Sequence, residues 1–410
     1  MSQAPVAIIG AGAAGLVAAI FAAREGVPTV LLEGSEKIGT KILISGGGRC
    51  NVLPGSFDEQ AFFTQGSRNV LRRLFRTWPH AAMRSWFEDE LGVALKLETD
   101  SGKLFPVSDK ARTVRDALVN ACQDAGVDLR TGWRADALEA PEAAGLWTVH
   151  AADDQHAPLQ ASTVVLATGG QSVPKTGSDG HGYAMARAHG HSSLPVYPAL
   201  VPLRHEEADL LALSGVALPI CWSTWKNGKC LERGERAALL THQGMSGPAI
   251  LDASHWVIRD GAELRIGWGG HDREAWAELL RASSARTLGS FLQEHLPKRL
   301  VQTLLERAAV SDQQNLAQFT REARDRLLTV LGDFVLPVTG DRGFAVAEVT
   351  GGGIPLDEVQ PSTLESRKRE SLYLCGEILD CIGRIGGHNF LWAWVTGRLA
   401  GTQAAKKARA

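Results

Sequence analysis

The feature that most constrains the fold is a strand, a glycine turn, a helix and a second strand over residues 6–33. The turn contains Gly10, Gly12 and Gly15, and the second strand ends in Glu33. In a dinucleotide-binding βαβ unit these glycines permit the tight turn, the approach of a pyrophosphate and close helix–strand packing, while the acid binds a ribose. The pyrophosphate lies at the helix N-terminus. The segment predicts a Rossmann-like domain; the alternative is a glycine-rich turn that binds no nucleotide.

The charge and hydropathy of the chain restrict the class of partner. The chain has 410 residues and a net charge of -2, so no overall basic field attracts nucleic acid or anionic membranes. Residues 5–23 are uncharged, but no positively charged segment precedes them, which argues against a signal peptide. No stretch reads as a membrane span. We expect a cytoplasmic protein that acts on a small molecule, with no nucleic-acid or membrane partner and an open oligomeric state.

The cysteines and the other metal-binding residue types predict neither disulfides nor a metal site. None of the six cysteines forms a CxxC pair, and a cytosolic protein keeps such thiols reduced. Cys221 and Cys230 flank Asn227-Gly228, a two-residue hairpin signal. In that register Cys230 faces Trp225, so we expect no disulfide between the two cysteines. No group of His, Cys, Asp or Glu has the spacing of metal ligands.

The order of predicted elements indicates one nucleotide domain interrupted by an insert. We predict an α/β fold in which residues 1–194 and 344–410 form the nucleotide domain. The insert, residues 195–343, reads as β-rich over about 195–270 and as helical over about 271–335. The finer predictions are helices over about 58–91, 110–125 and 249–257, a strand over 127–131, a ribbon over 134–139 and 145–151, and a hairpin over 216–240.

A second glycine cluster follows the βαβ unit at residues 45–51, with the sequence SGGGRCN. Such a loop brings backbone N–H groups against a flat or anionic ligand, and Arg49 would neutralise charge there. Cys50 is either a redox partner of a flavin or an ordinary packing residue. The alternative for the whole loop is a flexible surface segment. The turn at residues 241–248 either lines a substrate pocket or only ends the hairpin.

The C-terminal segment favours a flavin. Gly376 ends a strand, Asp380 follows, and Gly386-Gly387 opens the last helix at about Asn389. A helix N-terminus at this point would stabilise the negative charge that a reduced flavin carries, and Asp380 would bind a ribityl hydroxyl. His388 is a candidate acid or base at the same helix start. The alternative is a capping acid followed by a glycine-started core helix.

Taken together, these motifs resemble the HI0933-like, or YhiN, family of bacterial flavoproteins. The resemblance covers the chain in order and is carried by Gly10–Gly15, KILISGGGRCN (41–51), THQGMSGP (241–248), TGGGI (350–354), GEILD (376–380) and GGHNFLWAWVTG (386–397). It implies a flavoprotein of the two-dinucleotide-binding-domain type with non-covalent FAD, a β-barrel-like insert and a small helical subdomain.

The resemblance also implies which residues contact FAD. The ADP half would be held by Gly10, Gly12, Ala14, Gly15 and Glu33. The pyrophosphate and flavin side would meet Lys41, Arg49, Cys50 and Asn51. The adenosine side would meet Thr168, Gly169 and the backbone of Trp133. The ribityl and isoalloxazine would meet Gly376, Asp380, Gly387, Asn389 and Phe390.

The function hypothesis is an FAD-dependent oxidoreductase that moves hydride between FAD and a small organic substrate. Because no second GxGxxG is present, any NAD(P)H would dock only transiently at the flavin. The alternatives are a nicotinamide-dependent dehydrogenase and a non-catalytic flavin-binding regulator. The catalytic residues stay open, with His388, Cys50 and Arg49 as candidates. Many relatives have Tyr at the position of His388, and an acid and a tyrosine at Ile382 and Arg384, so the substrate does not transfer.

Overall fold

The computed structural model describes residues 3–142, 145–282, 287–315 and 319–410. The chain forms two compact units: unit 1 contains Met1–Val196 and Val349–Ala410, and unit 2 contains Tyr197–Glu348. The strands are β1 (Val6–Ile9), β2 (Thr29–Leu32), β3 (Leu53–Pro54), β4 (Phe62–Phe63), β5 (Leu95–Glu98), β6 (Lys103–Pro106), β7 (Asp128–Arg130), β8 (Ala135–Glu139), β9 (Trp147–Ala151), β10 (Leu159–Ala161), β11 (Thr163–Leu166), β12 (Leu194–Ala199), β13 (Leu203–Arg204), β14 (Ala217–Lys226), β15 (Lys229–Thr241), β16 (Gly244–Ser246), β17 (Glu263–Trp268), β18 (Phe334–Leu336), β19 (Gly340–Asp341), β20 (Val349–Gly353), β21 (Leu372–Leu374) and β22 (Ile382–Gly383). The α-helices are α1 (Ala13–Arg24), α2 (Thr40–Ile44), α3 (Arg68–Arg76), α4 (His80–Ser85), α5 (Ala111–Asp124), α6 (His181–Ala188), α7 (Ala208–Leu211), α8 (Pro248–Asp260), α9 (Arg273–Ala282), α10 (Leu288–Leu292), α11 (Lys298–Ala308), α12 (Arg321–Gly332) and α13 (His388–Arg409).

Unit 1 is built around a parallel sheet with the strand order β21-β11-β1-β2-β7. Its inner strands are buried on both faces, as expected for a parallel sheet covered by helices. The chain adds β2 and β7 on one side of β1, and then β11 and β21 on the other. The order therefore reverses between β1 and β11, which is where open α/β sheets bind ligands. The α/β prediction and the Rossmann-like sheet are confirmed.

Smaller antiparallel elements accompany this sheet. The predicted ribbon is present as β8 and β9, with β10 as a third strand. Strands β3, β6 and β5 form another small sheet, and β4 pairs with β22. The predicted helix over 110–125 is α5, and the strand over 127–131 is β7.

The prediction of a helix over residues 58–91 is wrong for its first part. Residues 62–63 form β4, because their partner β22 lies far away in the sequence and offers a ladder that local propensity cannot reveal. Helix α3 begins only after Ser67, whose hydroxyl accepts a hydrogen bond from Asn69 N. Pro79 then separates α3 from α4, because proline lacks the N–H that a continuing helix needs.

The last helix, α13, packs against α1 at unusually short range. A Cβ atom added at Gly397 would lie 2.4 Å from Ala14 O, and one added at Gly401 would lie 2.1 Å from Ala18 O. Neither position therefore has room for a side chain. Contact between Gly397 and Ala14, and one turn later between Gly401 and Ala18, shows that the two helices run in parallel.

Unit 2 contains an antiparallel sheet with the strand order β18-β17-β14-β15-β16-β13-β19. The predicted hairpin is confirmed as β14 and β15, and its turn residues Asn227 and Gly228 both have positive φ. Trp225 faces Cys230 as predicted, and both hairpin cysteines are free thiols. Helices α9 to α12 pack on this sheet around the buried Trp268 and Trp276.

The turn at residues 241–248 ends the hairpin of unit 2 and starts α8. Gly244 begins β16, which pairs with β15, and Gly247 precedes the first residue of α8. A Cβ at Gly244 would lie 2.1 Å from Leu203 O, so close packing explains this glycine. His242 and Gln243 form an exposed tip. None of the helices in the described residues has the length and apolarity needed to cross a bilayer.

A buried histidine connects the end of α6 with the segment before β21. His191 Nδ1 lies 2.7 Å from Glu358 Oε2, and Nε2 lies 2.8 Å from Ser366 Oγ. Ser366 Oγ also accepts hydrogen bonds from Lys368 N and Arg369 N, so its hydroxyl proton points to His191 Nε2. His191 is therefore neutral, with its proton on Nδ1. Burial lowers the pKa of His191, whereas the Glu358 carboxylate raises it, and the effect of burial is the larger.

Replacing Gly401 by Ala will destabilise unit 1. The new methyl group would overlap Ala18 O, and the helices must move apart at a cost of about 1–3 kcal/mol. Chemical denaturation measures this as a lower unfolding midpoint. Lys406→Ala, at an exposed position of the same helix, is the matched control and leaves the midpoint within about 0.5 kcal/mol of wild type. Equal effects of the two substitutions would contradict the packing argument.

The His191 network will make stability depend on pH. Because burial depresses the folded-state pKa below that of the unfolded chain, the unfolded state binds more protons as the pH falls below about 6.5. The free energy of unfolding therefore decreases from that pH downward, and His191→Asn flattens the decrease. The measurement is denaturant unfolding of both proteins between neutral and mildly acidic pH. His242→Asn serves as the exposed control, and identical slopes for wild type and His191→Asn would refute the assignment.

Candidate functional site

The predicted glycines lie at the switch point between β1 and β11. A Cβ at Gly10 would lie 2.6 Å from Ala167 O, and one at Gly15 would lie 1.8 Å from Gly10 O. These two glycines are therefore required by packing. Gly12 differs, because its Cβ would have no neighbour within 4 Å and its φ of -80° suits any residue. The open space beside Gly12 is where a ligand would approach the backbone.

The N-termini of α1 and α13 both start at glycines and have no side-chain cap. Gly12 precedes α1 and Gly387 precedes α13. Gly397 lies nine residues after the start of α13, whereas Ala14 lies one residue after the start of α1. At about 1.5 Å per residue, the difference of eight residues places the α13 N-terminus about 12 Å beyond that of α1. Two positive helix ends are thus staggered along one direction.

The end of β2 supplies an acid beside the glycine turn. Glu33 accepts hydrogen bonds from Ala11 N at 2.9 Å, Ser35 N at 2.9 Å and Ser35 Oγ at 2.8 Å. A carboxylate offers about four lone-pair sites, so one position stays open for a ribose hydroxyl. Trp133 N donates to Glu33 O at 2.9 Å, so a base contact from the Trp133 backbone would have to use its carbonyl.

The segment after β11 carries buried hydroxyl groups, of which the sequence predicted only Thr168 as a site residue and not Ser178 or Tyr183. Within the described residues, Thr168 Oγ1, Ser178 Oγ and Tyr183 OH are buried without a hydrogen-bond partner. A Cβ at Gly169 would lie 2.8 Å from Ser178 Oγ, so this glycine packs against the start of α6. Burial raises the pKa of Tyr183 well above its usual range. Unpartnered buried hydroxyls indicate positions that a ligand or water completes.

The SGGGRCN loop contributes less than the sequence suggested. Arg49 Nη1 lies 2.8 Å from Glu98 Oε1, and the guanidinium lies 3.9 Å from the centre of the Phe105 ring. Cys50 is fully buried, and burial raises the pKa of its thiol to about 12. A protonated, inaccessible thiol does not act as a nucleophile, so the structure argues against a redox role for Cys50. Asn51 Oδ1, by contrast, is buried without a partner among the described residues.

The C-terminal block is held tightly against α13. Gly376 N donates to Thr396 Oγ1 at 2.9 Å, and Trp392 Nε1 donates to Gly376 O at 3.0 Å. The Asn389 side chain makes two hydrogen bonds to the backbone of Gly383, at 2.8 and 2.9 Å. The side chains of Trp392 and Asn389 thus fix the loops that flank the helix start. Because the oxygen and the nitrogen of its side chain both bond to Gly383, Asn389 would contact a ligand through its backbone.

The residues around the α13 N-terminus are mostly buried. Asp380 Oδ2 accepts hydrogen bonds from Thr64 Oγ1 at 3.0 Å and Gln65 N at 2.7 Å. His388 is 8% exposed, and its ring lies edge-on to Phe62 at 5.4 Å. Phe390 stacks on Trp394, with ring centres 5.3 Å apart. Through these two hydrogen bonds Asp380 orients the segment after β4.

An ion pair that the sequence did not predict joins several of these loops. Lys41 Nζ lies 2.7 Å from Glu377 Oε2 and 2.6 Å from Ser172 Oγ. Glu377 Oε1 accepts hydrogen bonds from Thr350 N at 2.9 Å and Ser172 Oγ at 3.0 Å. Within the part of the chain that the structure describes, no group of three His, Cys, Asp or Glu residues could hold a metal ion.

These observations fit FAD. The space beside Gly12 and the N-terminus of α1 suit a diphosphate, and Glu33 suits the adenosine ribose. The stagger of about 12 Å between the helix ends leaves room for a ribityl chain between the diphosphate and the ring, so the α13 N-terminus would meet the flavin ring. The buried Asn51 Oδ1 is available to a ring N–H group.

Gly12→Ala will weaken FAD binding without destabilising the protein. The added methyl group enters open space, so the unfolding midpoint stays within about 0.5 kcal/mol of wild type. The methyl group would occupy the space through which the diphosphate approaches the backbone N–H groups. Losing these contacts to a charged group lowers the affinity for FAD by about 10- to 100-fold. Gly15→Ala is the matched comparison, because its methyl group would overlap Gly10 O and destabilise the fold. Fluorescence titration with FAD and denaturant unfolding distinguish the two, and unchanged affinity in Gly12→Ala would exclude this location.

Comparison with protein-family models gives one match over nearly the whole chain. The model described as HI0933-like protein Rossmann domain matches residues 4–403. Among curated proteins, the chain is 33% identical over 417 residues to the 3-dehydro-bile acid delta(4,6)-reductase of Clostridium scindens, covering 98% of this chain and 99% of that protein. It is also 33% identical over 395 residues to the ribosomal RNA dihydrouridine synthase of Escherichia coli, covering 94% of each chain.

Solved structures share the fold at low sequence identity. The 3-ketosteroid delta1-dehydrogenase of Sterolibacterium denitrificans superimposes with a TM-score of 0.52 at 14% identity, covering 99% of this chain and 100% of that chain. The 3-ketosteroid-delta4-(5alpha)-dehydrogenase of Rhodococcus jostii gives a TM-score of 0.50 at 15% identity, covering 98% and 96%. Both likenesses concern the fold.

The family match and the two curated relatives extend over unit 1, which contains the glycine turn and the N-termini of α1 and α13, and over the insert. They support the FAD-dependent oxidoreductase hypothesis and the use of FAD as the cofactor. The chain belongs to the HI0933-like family and is an FAD-dependent oxidoreductase.

Proposed function

We propose that the protein reduces a carbon–carbon double bond conjugated to a carbonyl group. The observation that carries this proposal is the shared chemistry in the names of two relatives that align over almost the whole chain. A delta(4,6)-reductase acting on a 3-dehydro bile acid saturates double bonds conjugated to a ketone. Formation of dihydrouridine saturates a pyrimidine double bond that is conjugated to a ring carbonyl. Conjugation makes the carbon remote from the carbonyl electrophilic, so we expect hydride to add at that carbon and a proton at the carbon next to the carbonyl.

When bound, FAD would supply the hydride-transfer chemistry, and a nicotinamide that docks transiently is the electron donor that we propose. The chain supplies binding and orientation. Gly12 and the α1 N-terminus would hold the diphosphate, Glu33 would hold the ribose, and the α13 N-terminus would provide positive potential next to the flavin. The Asn389 side chain keeps this helix start in place through Gly383.

The proton requires an acid beside the α13 N-terminus, and we assign it to His388. Its ring is nearly buried and held against Phe62, which fixes its orientation. Arg49 and Cys50 are weaker candidates, because Arg49 is paired with Glu98 and because burial makes the Cys50 thiol inaccessible and raises its pKa to about 12, which leaves it a very weak acid.

The deciding experiment is anaerobic reduction of the FAD-loaded protein by NADH or NADPH, followed by addition of acceptors. A bile acid with a conjugated 3-ketone tests the small-molecule source of the alkene. Unmodified ribosomal RNA, digested and examined for the mass gain of two hydrogens in uridine, tests the nucleic-acid source. Oxidation of the flavin by either acceptor, with formation of the saturated product, supports the proposal. A reduced flavin that neither acceptor reoxidises contradicts it.

His388→Gln will separate flavin reduction from alkene reduction. Because His388 is assigned only to proton delivery, FAD binding and reduction by the nicotinamide stay near wild type. The rate of alkene reduction falls by about 10²- to 10⁴-fold, the usual contribution of a general acid. Stopped-flow absorbance of the flavin follows both half-reactions. His156→Gln, at a partly exposed position, is the control, and an unchanged second half-reaction in His388→Gln would remove His388 from the mechanism.

A further inference from the structure

The ion pair between Lys41 and Glu377 spans the crevice, by which we mean the space beside the α1 N-terminus at the switch point between β1 and β11. Lys41 belongs to α2, whose preceding residue Gly39 donates its N–H to Ala11 O in the glycine turn. Glu377 follows Gly376, where a Cβ would lie 2.8 Å from the Cβ of Ala14. The two charged side chains therefore reach towards each other from opposite sides of the α1 N-terminus.

Backbone and hydroxyl groups fix Glu377 in this position. Oε1 accepts from Thr350 N and Ser172 Oγ, and Oε2 accepts from Lys41 Nζ. Thr350 Oγ1 in turn accepts from the backbone N–H of Gln171 at 2.7 Å and of Ser172 at 2.9 Å. A Cβ at Gly170 would lie 2.5 Å from Thr350 Oγ1, so the glycine is needed for this approach. The Glu377 carboxylate is thus held by the loop that follows β11 and by Thr350 of β20.

Lys41 keeps one donor for a ligand. An ammonium group has three N–H donors, and the hydrogen bonds to Glu377 and Ser172 use two of them. The Lys41 side chain is 26% exposed and that of Glu377 is 19% exposed. The third donor can therefore reach an anionic oxygen in the crevice without breaking the pair.

We propose that Glu377 is a positioning residue that holds Lys41 as a charge-balanced contact to FAD. The inference rests on FAD occupying the crevice beside Gly12 and is independent of the acceptor that the enzyme reduces. Lys41 contacts the cofactor, Glu377 sets its direction and offsets its charge, and Ser172 and Thr350 hold Glu377. The pair thereby adjusts both the affinity for FAD and the ease with which it accepts electrons.

The proposal predicts shifts of opposite sign for the two partners. Reduction adds negative charge to the flavin, so a nearby positive charge raises its midpoint potential and a negative charge lowers it. Lys41→Met leaves Glu377 unbalanced and lowers the potential. Glu377→Gln leaves Lys41 unbalanced and raises it. The double variant restores neutrality and returns the potential towards that of wild type.

The experiment measures the midpoint potential by spectroscopic titration at saturating FAD, with no acceptor present. Affinity for FAD is measured in parallel, and Lys41→Met weakens it by about 10- to 100-fold through loss of a charged hydrogen bond. Lys41→Arg keeps the charge and holds the potential near wild type, which guards against a folding defect in Lys41→Met.

The matched control is the exposed pair Lys407–Glu370 on the same unit. Lys407→Met and Glu370→Gln change the net charge equally but leave the potential unchanged, because exposed charges are screened. Opposite shifts at Lys41 and Glu377 with a silent control establish the proposal. The proposal is overturned if the two substitutions shift the midpoint potential with the same sign, if neither shifts it, or if the control substitutions shift it equally. It is also overturned if the substitutions at Lys41 and Glu377 change only the unfolding midpoint. A failed alkene reduction would leave these outcomes unaffected.

Discussion

The close contact between α1 and α13 is the constraint on which the cofactor site depends. Gly397 and Gly401 let the two helices approach until the backbone of one touches the other. This contact sets the distance between two uncapped helix N-termini, of which we propose that one faces a diphosphate and the other a flavin ring. Side chains larger than hydrogen at these positions would move the second positive helix end away from the ring. A packing interaction far from the chemistry therefore determines where charge on the flavin is stabilised.

The sequence was sufficient for the features that depend on local spacing. Gly10, Gly12 and Gly15 were assigned correctly to a βαβ turn because their spacing along the chain is local, and the hairpin register at Trp225 and Cys230 follows from a two-residue turn. The α/β class was predicted correctly from the order of the elements, and the HI0933-like family from the resemblance of the motifs. The roles of the individual FAD residues stay predictions, because they describe contacts with the bound cofactor.

The sequence was insufficient where a residue acts through a distant partner. Phe62 and Phe63 have no local sign of a strand, because Ile382 and Gly383 supply the pairing. Glu377 lies within the GEILD motif and received no role from the sequence, although it pairs with Lys41 across 336 positions. Arg49 looked like a free cation, but the structure pairs it with Glu98. In each case the three-dimensional neighbour, rather than the residue type, decides the role.

The division of unit 1 into two sequence segments follows from the same geometry. Strands β1, β2 and β7 are complete before residue 196, and β11 lies on the other side of β1. The returning segment adds β21 beside β11 at the edge of the sheet, so it extends the sheet without changing the pairing already made. Loop-closure entropy rises only logarithmically with length, so a long intervening segment costs little more than a short one. What the C-terminal segment must then supply is α13, because no other described helix meets Ala14 and Ala18 through glycines. The nucleotide fold can thus be interrupted at its edge, but the flavin end of the site exists only once the chain has returned.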